Sequence, residues 1–183
     1  MPTQALEQAP VLTHYRFSVV DYYRMAEVGI LDWEAKVELL DGIIVENERV
    51  TPKHASMVNR LIQDLLLRLS DQAMVRPQQP IHLDEYTEPE PDISVVEWKE
   101  NYYSDDHPGP EHILFLIEVA ETSLMKDRKI KLPLYAKAGI PEVWIVDLEK
   151  DVVEVYSEPR EGEYRKVELV GKGQAVRGIV VIA

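Results

Sequence analysis

The hydrophobic pattern changes along the chain from a helical period to a strand-like period and back. Ser18 can cap a short helix that ends near Val28, and the apolar runs on either side of Asp41–Gly42 predict a two-residue β-hairpin. Thr51 and Pro52 are typical of a helix start. The apolar residues that follow repeat at helical spacing: Val58, Ile62, Leu65 and Leu69. The sequence therefore predicts a long amphipathic helix that lies against a sheet.

The second half of the chain has mainly strand-like runs, with one further helical stretch. Ile113–Ile117 is a continuous apolar run, as expected for a strand that is buried on both faces. Gly139 suits the end of a helix, and Pro141 follows it. From residue 74 onward we expect, in order, an edge strand within 74–83, strands at 92–96 and 113–117, a helix at 124–138, a strand at 143–146, a hairpin over 153–170 and a closing strand at 179–182.

The order of these elements predicts one mixed α/β structure with a central sheet. Between residues 52 and 147 the order is α-β-β-β-α-β, preceded by an N-terminal helix and hairpin and followed by a C-terminal hairpin. A length of 183 residues fits one domain. We expect residues 1–16 to form a flexible arm and residues 17–183 to form a single domain.

Composition limits the class of protein and the kinds of chemistry it can carry. There is no cysteine, which excludes disulfides, thiolate metal sites and cysteine nucleophiles. No apolar run approaches the roughly 18 residues of a membrane span, and Met1–Pro10 lacks the apolar core of a signal peptide. We therefore expect a cytoplasmic protein. Its formal net charge of −13 repels nucleic acid at long range.

Two acids stand at the ends of predicted central strands. Glu118 directly follows the apolar run Ile113–Ile117, and Asp92 begins another short strand after Pro91. Each has an ordinary interpretation, because a strand-end glutamate can reach solvent and an aspartate after proline can cap a turn. If the two strands are neighbours, however, the carboxylates lie close together. A divalent metal would offset their repulsion, since such ions prefer oxygen ligands.

The helix that follows Glu118 offers a cation for this pair. Asp127, Lys131 and Tyr135 follow one another at intervals of four residues and share one helical face. The alternative is an exposed stripe of ion pairs. Pro133 cannot donate to the carbonyl of Lys129, so we expect a kink that aims Lys131 at the strand ends.

In their order and spacing, these residues resemble the Uma2 family (DUF820), which is common in cyanobacteria and belongs to the PD-(D/E)XK, restriction-endonuclease-like superfamily. The resemblance covers roughly residues 17–165. In that family, as at Lys131 here, the lysine stands on the helix rather than on the strand. This sequence departs from the family's pattern at Glu121–Ser123. The matching segments are Glu38–Gly42, Pro52–His54, Pro91–Asp92, Ile117–Val119, the set Asp127, Lys131 and Tyr135, and Ala138–Asp147.

The resemblance implies a restriction-endonuclease-like core and metal-dependent hydrolysis of phosphodiester bonds, with DNA as the expected nucleic acid. It implies that Asp92, Glu118 and the carbonyl of Val119 hold Mg²⁺ or Mn²⁺, and that Lys131 orients or deprotonates the attacking water. It also implies a homodimer, for which the apolar segment 179–182 offers an edge. The auxiliary residues are Glu38, His54, Asp127 and Tyr135.

The main alternative is a binding or regulatory module that keeps this fold without cutting. The net charge of −13 favours that alternative, and the intact set of Asp92, Glu118 and Lys131 favours the enzyme. His54, taken alone, is typical of a surface residue in a first helical turn. Five further candidate ligands lie among prolines and glycines and favour a solvated loop: Asp105, Asp106, His107, Glu111 and His112.

Overall fold

The computed structural model describes residues 14–32, 34–69 and 71–182. A 3₁₀ turn at Pro110–His112 and a π-helical turn at Asp127–Lys131 accompany the regular elements. Within the described ranges the elements are α1 Val19–Glu27, β1 Val37–Leu40, β2 Ile43–Glu46, α2 Pro52–Leu69, β3 Ala73–Pro77, β4 Ile93–Glu97, β5 Ile113–Ala120, α3 Leu124–Lys126, α4 Leu132–Ala138, β6 Glu142–Asp147, β7 Val152–Arg160 and β8 Glu163–Gly171.

Six strands form the central sheet in the order β3-β4-β5-β6-β7-β8. All neighbours are antiparallel except β5 and β6, which run parallel and are connected by the helical segment 124–138. Strands β1 and β2 pair separately as a hairpin. The predicted order α-β-β-β-α-β over residues 52–147 is confirmed, as are the N-terminal helix and hairpin and the C-terminal hairpin β7–β8.

The sheet has a hydrophobic cluster on each face, and β5 contributes to both. Phe115, Ile117 and Val119 pack in the cluster that contains the buried face of α2. Leu116 and Ala120 pack in the other cluster, which contains residues of α4. Because strand side chains alternate, Glu118 shares the α4 face with Leu116 and Ala120. A single acidic residue therefore interrupts an otherwise apolar row.

The predicted helix at 124–138 changes type in its middle. The π-helical turn Asp127–Lys131 lies between α3 and α4, and the N–H of Leu132 donates to the carbonyl of Asp127, five residues earlier. Pro133, at the start of α4, has no N–H to donate. The disturbance expected from this proline thus takes the form of a wider helical turn. The helix ends at Gly139, which has a φ of 80°.

The expectation that residues 179–182 close the sheet is wrong. Beyond β8 the described chain forms only an isolated bridge between Val176 and Ile179, and the edges of the sheet are β3 and β8. Ile179, Val181 and Ile182 are buried in the cluster that contains α2. Their apolar character therefore reflects side-chain packing rather than strand pairing.

The predicted arm is only partly described, because residues 1–13 lie outside the described residues. No helix within the described ranges is both long enough and apolar enough to cross a membrane.

The β1–β2 hairpin is fixed against the rest of the chain at its turn. Asp41 and Gly42 have φ values of 51° and 81°, as in a type I′ turn. The N–H of Phe17 donates to the carbonyl of Gly42 at 2.9 Å, and the N–H of Gly42 donates to the carbonyl of Tyr86 at 2.7 Å. These bonds hold the hairpin, and with it Glu38 on β1, beside the central sheet.

We expect Gly42→Ala to lower the free energy of unfolding by about 1 kcal/mol or more beyond the loss caused by Gly162→Ala. Both glycines have positive φ and follow a residue with positive φ in a hairpin turn, so both substitutions share that strain. A Cβ on Gly42 would also meet Arg16 Cβ at 2.6 Å, whereas a Cβ on Gly162 would meet nothing within 4 Å. Chemical denaturation measures both losses, and equal losses would contradict the close packing at Gly42.

Candidate active site

The two strand-end acids meet at the junction of β4 and β5. Ile93 pairs with Ile117 in the antiparallel register, which places Asp92 opposite Glu118. The N–H of Asp92 donates to Glu118 Oε2 at 3.4 Å, and the N–H of Val119 donates to Asp92 Oδ2 at 2.8 Å. Asp92, Glu118 and Val119 line a pocket of about 160 Å³. The structure thus brings together the three residues expected to hold a metal.

Lys131 reaches the same pocket from the π-helical turn. Its Nζ lies 2.7 Å from Glu118 Oε1 and 3.4 Å from Glu38 Oε2, and it donates to the carbonyl of Glu90 at 3.3 Å. Only 3% of its side chain is exposed. Tyr135 is also buried, and its hydroxyl donates to Glu118 Oε1 at 2.5 Å. The exposed stripe of ion pairs considered for this helix is therefore not what the structure contains.

Asp127, the remaining member of the predicted helical face, is also buried. Its Oδ2 accepts a hydrogen bond of 2.6 Å from the hydroxyl of Ser123, four residues earlier. Asp127 lines the pocket beside Lys131. Among the described contacts, Asp127 forms no hydrogen bond to Asp92 or Glu118. It therefore lies beside the predicted site without bonding to either acid.

Glu38 joins the N-terminal hairpin to the site. Its side chain is fully buried, and Oε2 accepts a hydrogen bond from the N–H of Glu90 at 3.1 Å. Its Oε1 lies 3.1 Å from the Nζ of Lys126, which also donates to Asn47 Oδ1 at 3.1 Å. Glu38 therefore contacts both Lys126 and Lys131.

Lys126 and Asn47 are not among the residues predicted for the site. In a regular helix Lys126 would not share a face with Lys131, because residues five apart point in different directions at 3.6 residues per turn. The π-helical turn changes that relation, since it bonds residues five apart. Lys126 and Lys131 can therefore both reach Glu38.

His54 lies in the first turn of α2 and contacts Asp92. Its Nε2 is 3.0 Å from Asp92 Oδ1 and 3.1 Å from Oδ2, and 15% of its side chain is exposed. The N–H of His54 donates to the hydroxyl of Thr51 at 3.2 Å, as expected for a helix N-cap. The interpretation of His54 as a simple surface residue is wrong, because its ring is directed at the aspartate.

Burial and charge act against each other at the centre of the site. Burial raises the pKa of Glu118 to about 8, opposed by Lys131 and assisted by Asp127 and Asp92. Burial also disfavours the charged form of Lys131, but Glu118 and Glu38 outweigh that effect and raise its pKa. Near neutral pH a charged Lys131 thus lies beside a carboxyl group that ionises less readily than an exposed one.

The pKa values of Glu38 and Asp127 shift in opposite directions, although both groups are buried. Burial alone would raise the pKa of Glu38, but Lys131 and Lys126 outweigh it and lower that pKa below its ordinary value. Burial raises the pKa of Asp127, even though Lys131 favours its anion. Glu38 is therefore the acid whose negative charge the two lysines stabilise most directly.

The donor set fits a magnesium-like ion rather than a closed metal cage. Within the described ranges, no group of three or more His, Cys, Asp or Glu side chains could hold a metal ion. Mg²⁺ is usually held by one or two carboxylates, with waters and substrate phosphates completing its shell. Asp92 and Glu118 supply two carboxylates at one pocket. A cation there would also favour the ionised form of Glu118.

The acidic loop between β4 and β5 does not form a metal site in the described structure. Asp105 and Asp106 are exposed. The ring of His112 lies 2.9 Å from the Nζ of Lys99 and 3.2 Å from Glu97 Oε2. These contacts connect the loop to β4, far along the strand from Asp92.

The fold and the sequence place the chain in a known class. A crystal structure from Anabaena variabilis, described as a "putative nuclease belonging to DUF820", has a TM-score of 0.69 and 18% sequence identity over 87% of each chain. The chain therefore shares the fold of that structure. The model of the Uma2 family, described as "putative restriction endonuclease", matches residues 19–180, and the chain belongs to that family. No protein with a curated description matches it.

We expect the pKa of His54 to be higher in the wild type than in Asp92→Asn. The hydrogen bond to Asp92 raises that pKa, against the opposing effect of burial. The contact should therefore stabilise the fold below the ordinary histidine pKa of about 6.5, and this contribution should fade as pH rises through the folded-state value. NMR titration of the imidazole and the pH dependence of unfolding in His54→Gln measure these effects. An unchanged pKa in Asp92→Asn would contradict the pairing.

Proposed function

We propose that this protein is a metal-dependent nuclease that hydrolyses phosphodiester bonds, with DNA as its substrate. The observation that carries this proposal is the meeting of Asp92, Glu118 and Lys131 in one pocket. Membership of a family described as "putative restriction endonuclease" supports the same reaction class. The three residues come from two strands and a helix that are distant in sequence.

The two carboxylates and one backbone carbonyl would hold Mg²⁺ or Mn²⁺. The N–H of Val119 points to Asp92, and the N–H and C=O of one strand residue face the same neighbouring strand. The Val119 carbonyl therefore suits a ligand set with Asp92 and Glu118. When bound, such an ion polarises a phosphate and lowers the pKa of a water molecule.

The chain's own residues would hold the carboxylates and provide positive charge. Lys131 and Tyr135 both contact Glu118 Oε1 and so fix the orientation of that carboxylate. Of the two roles considered for Lys131, its raised pKa favours electrostatic stabilisation over removal of a proton from water. His54 and the N–H of Val119 orient Asp92.

The competing proposal is a binding module without nuclease activity. Its main support is the net charge of −13, which opposes contact with a polyanion. Six acidic residues line the pocket, but four basic residues also line it and offer positive charge to a polyanion: Lys36, Arg49, Lys126 and Lys131. The cytoplasmic location and the symmetric homodimer stay predictions. Because 179–182 is not a strand, the sheet edges for pairing would be β3 and β8.

We expect Lys131→Ala to reduce cleavage by about 100-fold or more, because it removes positive charge beside the reacting phosphate. The matched control is Lys129→Ala, which removes an exposed lysine from the same π-helical turn. Purified proteins should be incubated with labelled DNA and RNA in Mg²⁺ and in EDTA, and thermal denaturation should establish that each variant is folded. Cleavage by a folded Lys131→Ala protein at the wild-type rate would overturn the mechanism.

We expect Asp92→Asn to weaken Mg²⁺ or Mn²⁺ binding by about tenfold or more, because it removes a ligand charge. Asp105→Asn, which changes an exposed aspartate in the β4–β5 loop, should leave binding unchanged. Isothermal titration calorimetry compares the three proteins without reference to cleavage. Equal affinity in the wild type and Asp92→Asn would exclude Asp92 as a ligand.

A further inference from the structure

Lys131 has no donor to spare for a substrate in this geometry. An ammonium group has three N–H donors. Those of Lys131 are matched by three acceptors of the protein: Glu118 Oε1 at 2.7 Å, the Glu90 carbonyl at 3.3 Å and Glu38 Oε2 at 3.4 Å. Its side chain is 3% exposed. A direct bond from Lys131 to a phosphate would therefore break a contact inside the protein.

Lys126 differs from Lys131 in its number of matched donors and in its exposure. Within the described part of the chain, its Nζ has two acceptors, Glu38 Oε1 and Asn47 Oδ1, each at 3.1 Å. One donor of the three therefore remains. The side chain is 19% exposed and lines the same pocket as Asp92 and Glu118. Lys126 can thus bind a ligand in this pocket without losing either anchor.

The two anchors also fix where the ammonium group lies. Glu38 is fully buried on β1, and Asn47 follows directly after β2, so both belong to the hairpin held at Gly42. A lysine side chain is otherwise flexible, and binding a ligand would cost the entropy of ordering it. Because Glu38 and Asn47 already hold Lys126, much of that ordering is present before a ligand arrives.

We propose that Lys126 binds a non-bridging oxygen of the substrate's phosphate, while Glu38 and Asn47 position its ammonium group. This proposal rests on the proposed nuclease function and assigns different tasks to the two lysines. Lys131 holds the Glu118 carboxylate, and Lys126 contacts the nucleic-acid backbone. The chemistry recognised is a phosphodiester, without preference for a base.

The first test measures binding rather than cleavage. A fluorescein-labelled DNA duplex of 12 base pairs serves as the probe, with Ca²⁺ in place of Mg²⁺ and gels to verify that it stays intact. Each neutralised phosphate contributes about 0.9 to the slope of log Kobs against log salt on duplex DNA. Lys126→Ala should therefore reduce the magnitude of that slope by about 0.9. Lys129→Ala and Lys126→Arg should keep the wild-type slope.

The second test measures cleavage of the same duplex in Mg²⁺. Loss of one charge-assisted hydrogen bond should lower kcat/KM of Lys126→Ala by about tenfold to a hundredfold, and Lys126→Arg should recover most of it. Thermal denaturation should be measured for every variant. If Lys126→Ala does not fold, Lys126→Gln replaces it, because it removes the charge but keeps a donor toward Glu38.

The outcomes separate this proposal from the proposed function. An unchanged salt slope in a folded Lys126→Ala or Lys126→Gln protein would overturn the phosphate contact even if the wild type cleaves DNA. If Lys126→Ala lowers the salt slope as expected but the wild type cuts no DNA, the nuclease function is overturned and the phosphate contact stands. A wild type that neither binds nor cuts would overturn both.

Discussion

The site depends on the buried contact between Glu118 and Lys131, because both groups are almost completely removed from solvent. An isolated buried charge is costly, and a buried pair is tolerated only when further hydrogen bonds satisfy it. Here Tyr135 donates to Glu118, and Glu38 and the carbonyl of Glu90 accept from Lys131. The apolar cluster that contains residues of α4 therefore borders a small, densely connected polar group.

This polar group connects three parts of the chain that are far apart in sequence. Glu38 comes from the N-terminal hairpin, Glu118 from β5, and Lys131 from the turn before α4. The hairpin is held by hydrogen bonds at Gly42 and contributes a fully buried acid. Hairpin and sheet are therefore joined at the site by charge as well as by backbone hydrogen bonds.

The sequence predicted most of the fold because its signals were local. Strand alternation, the Asp41–Gly42 turn and the end of the helix at Gly139 each depend on a few neighbouring residues. The predicted strand at 179–182 was wrong because an apolar run indicates that a segment is buried but not that it pairs with a strand. Only the folded chain shows that α2 and the sheet supply that burial.

The sequence also indicated the main acids and the lysine, but not how they are held. The place of Asp92 and Glu118 at strand ends suggested that they meet, since adjacent strands align such residues. The partners of Lys126 could not be inferred, because they depend on a π-helical turn and on a hairpin more than seventy residues away. Long-range polar contacts leave little periodic trace in a sequence.

The position of Lys131 has a consequence for how such a site can change. Strand β5 carries Ala120 two residues beyond Glu118, and the cation comes instead from the helical segment. The carboxylates are attached to the hydrogen-bonded sheet, whereas the positive charge is attached to an element that packs on its face. A small shift of that helix would move the cation and leave the strands in register. Among proteins that share this architecture, the distance between the two acids and the position of the positive charge can therefore change independently.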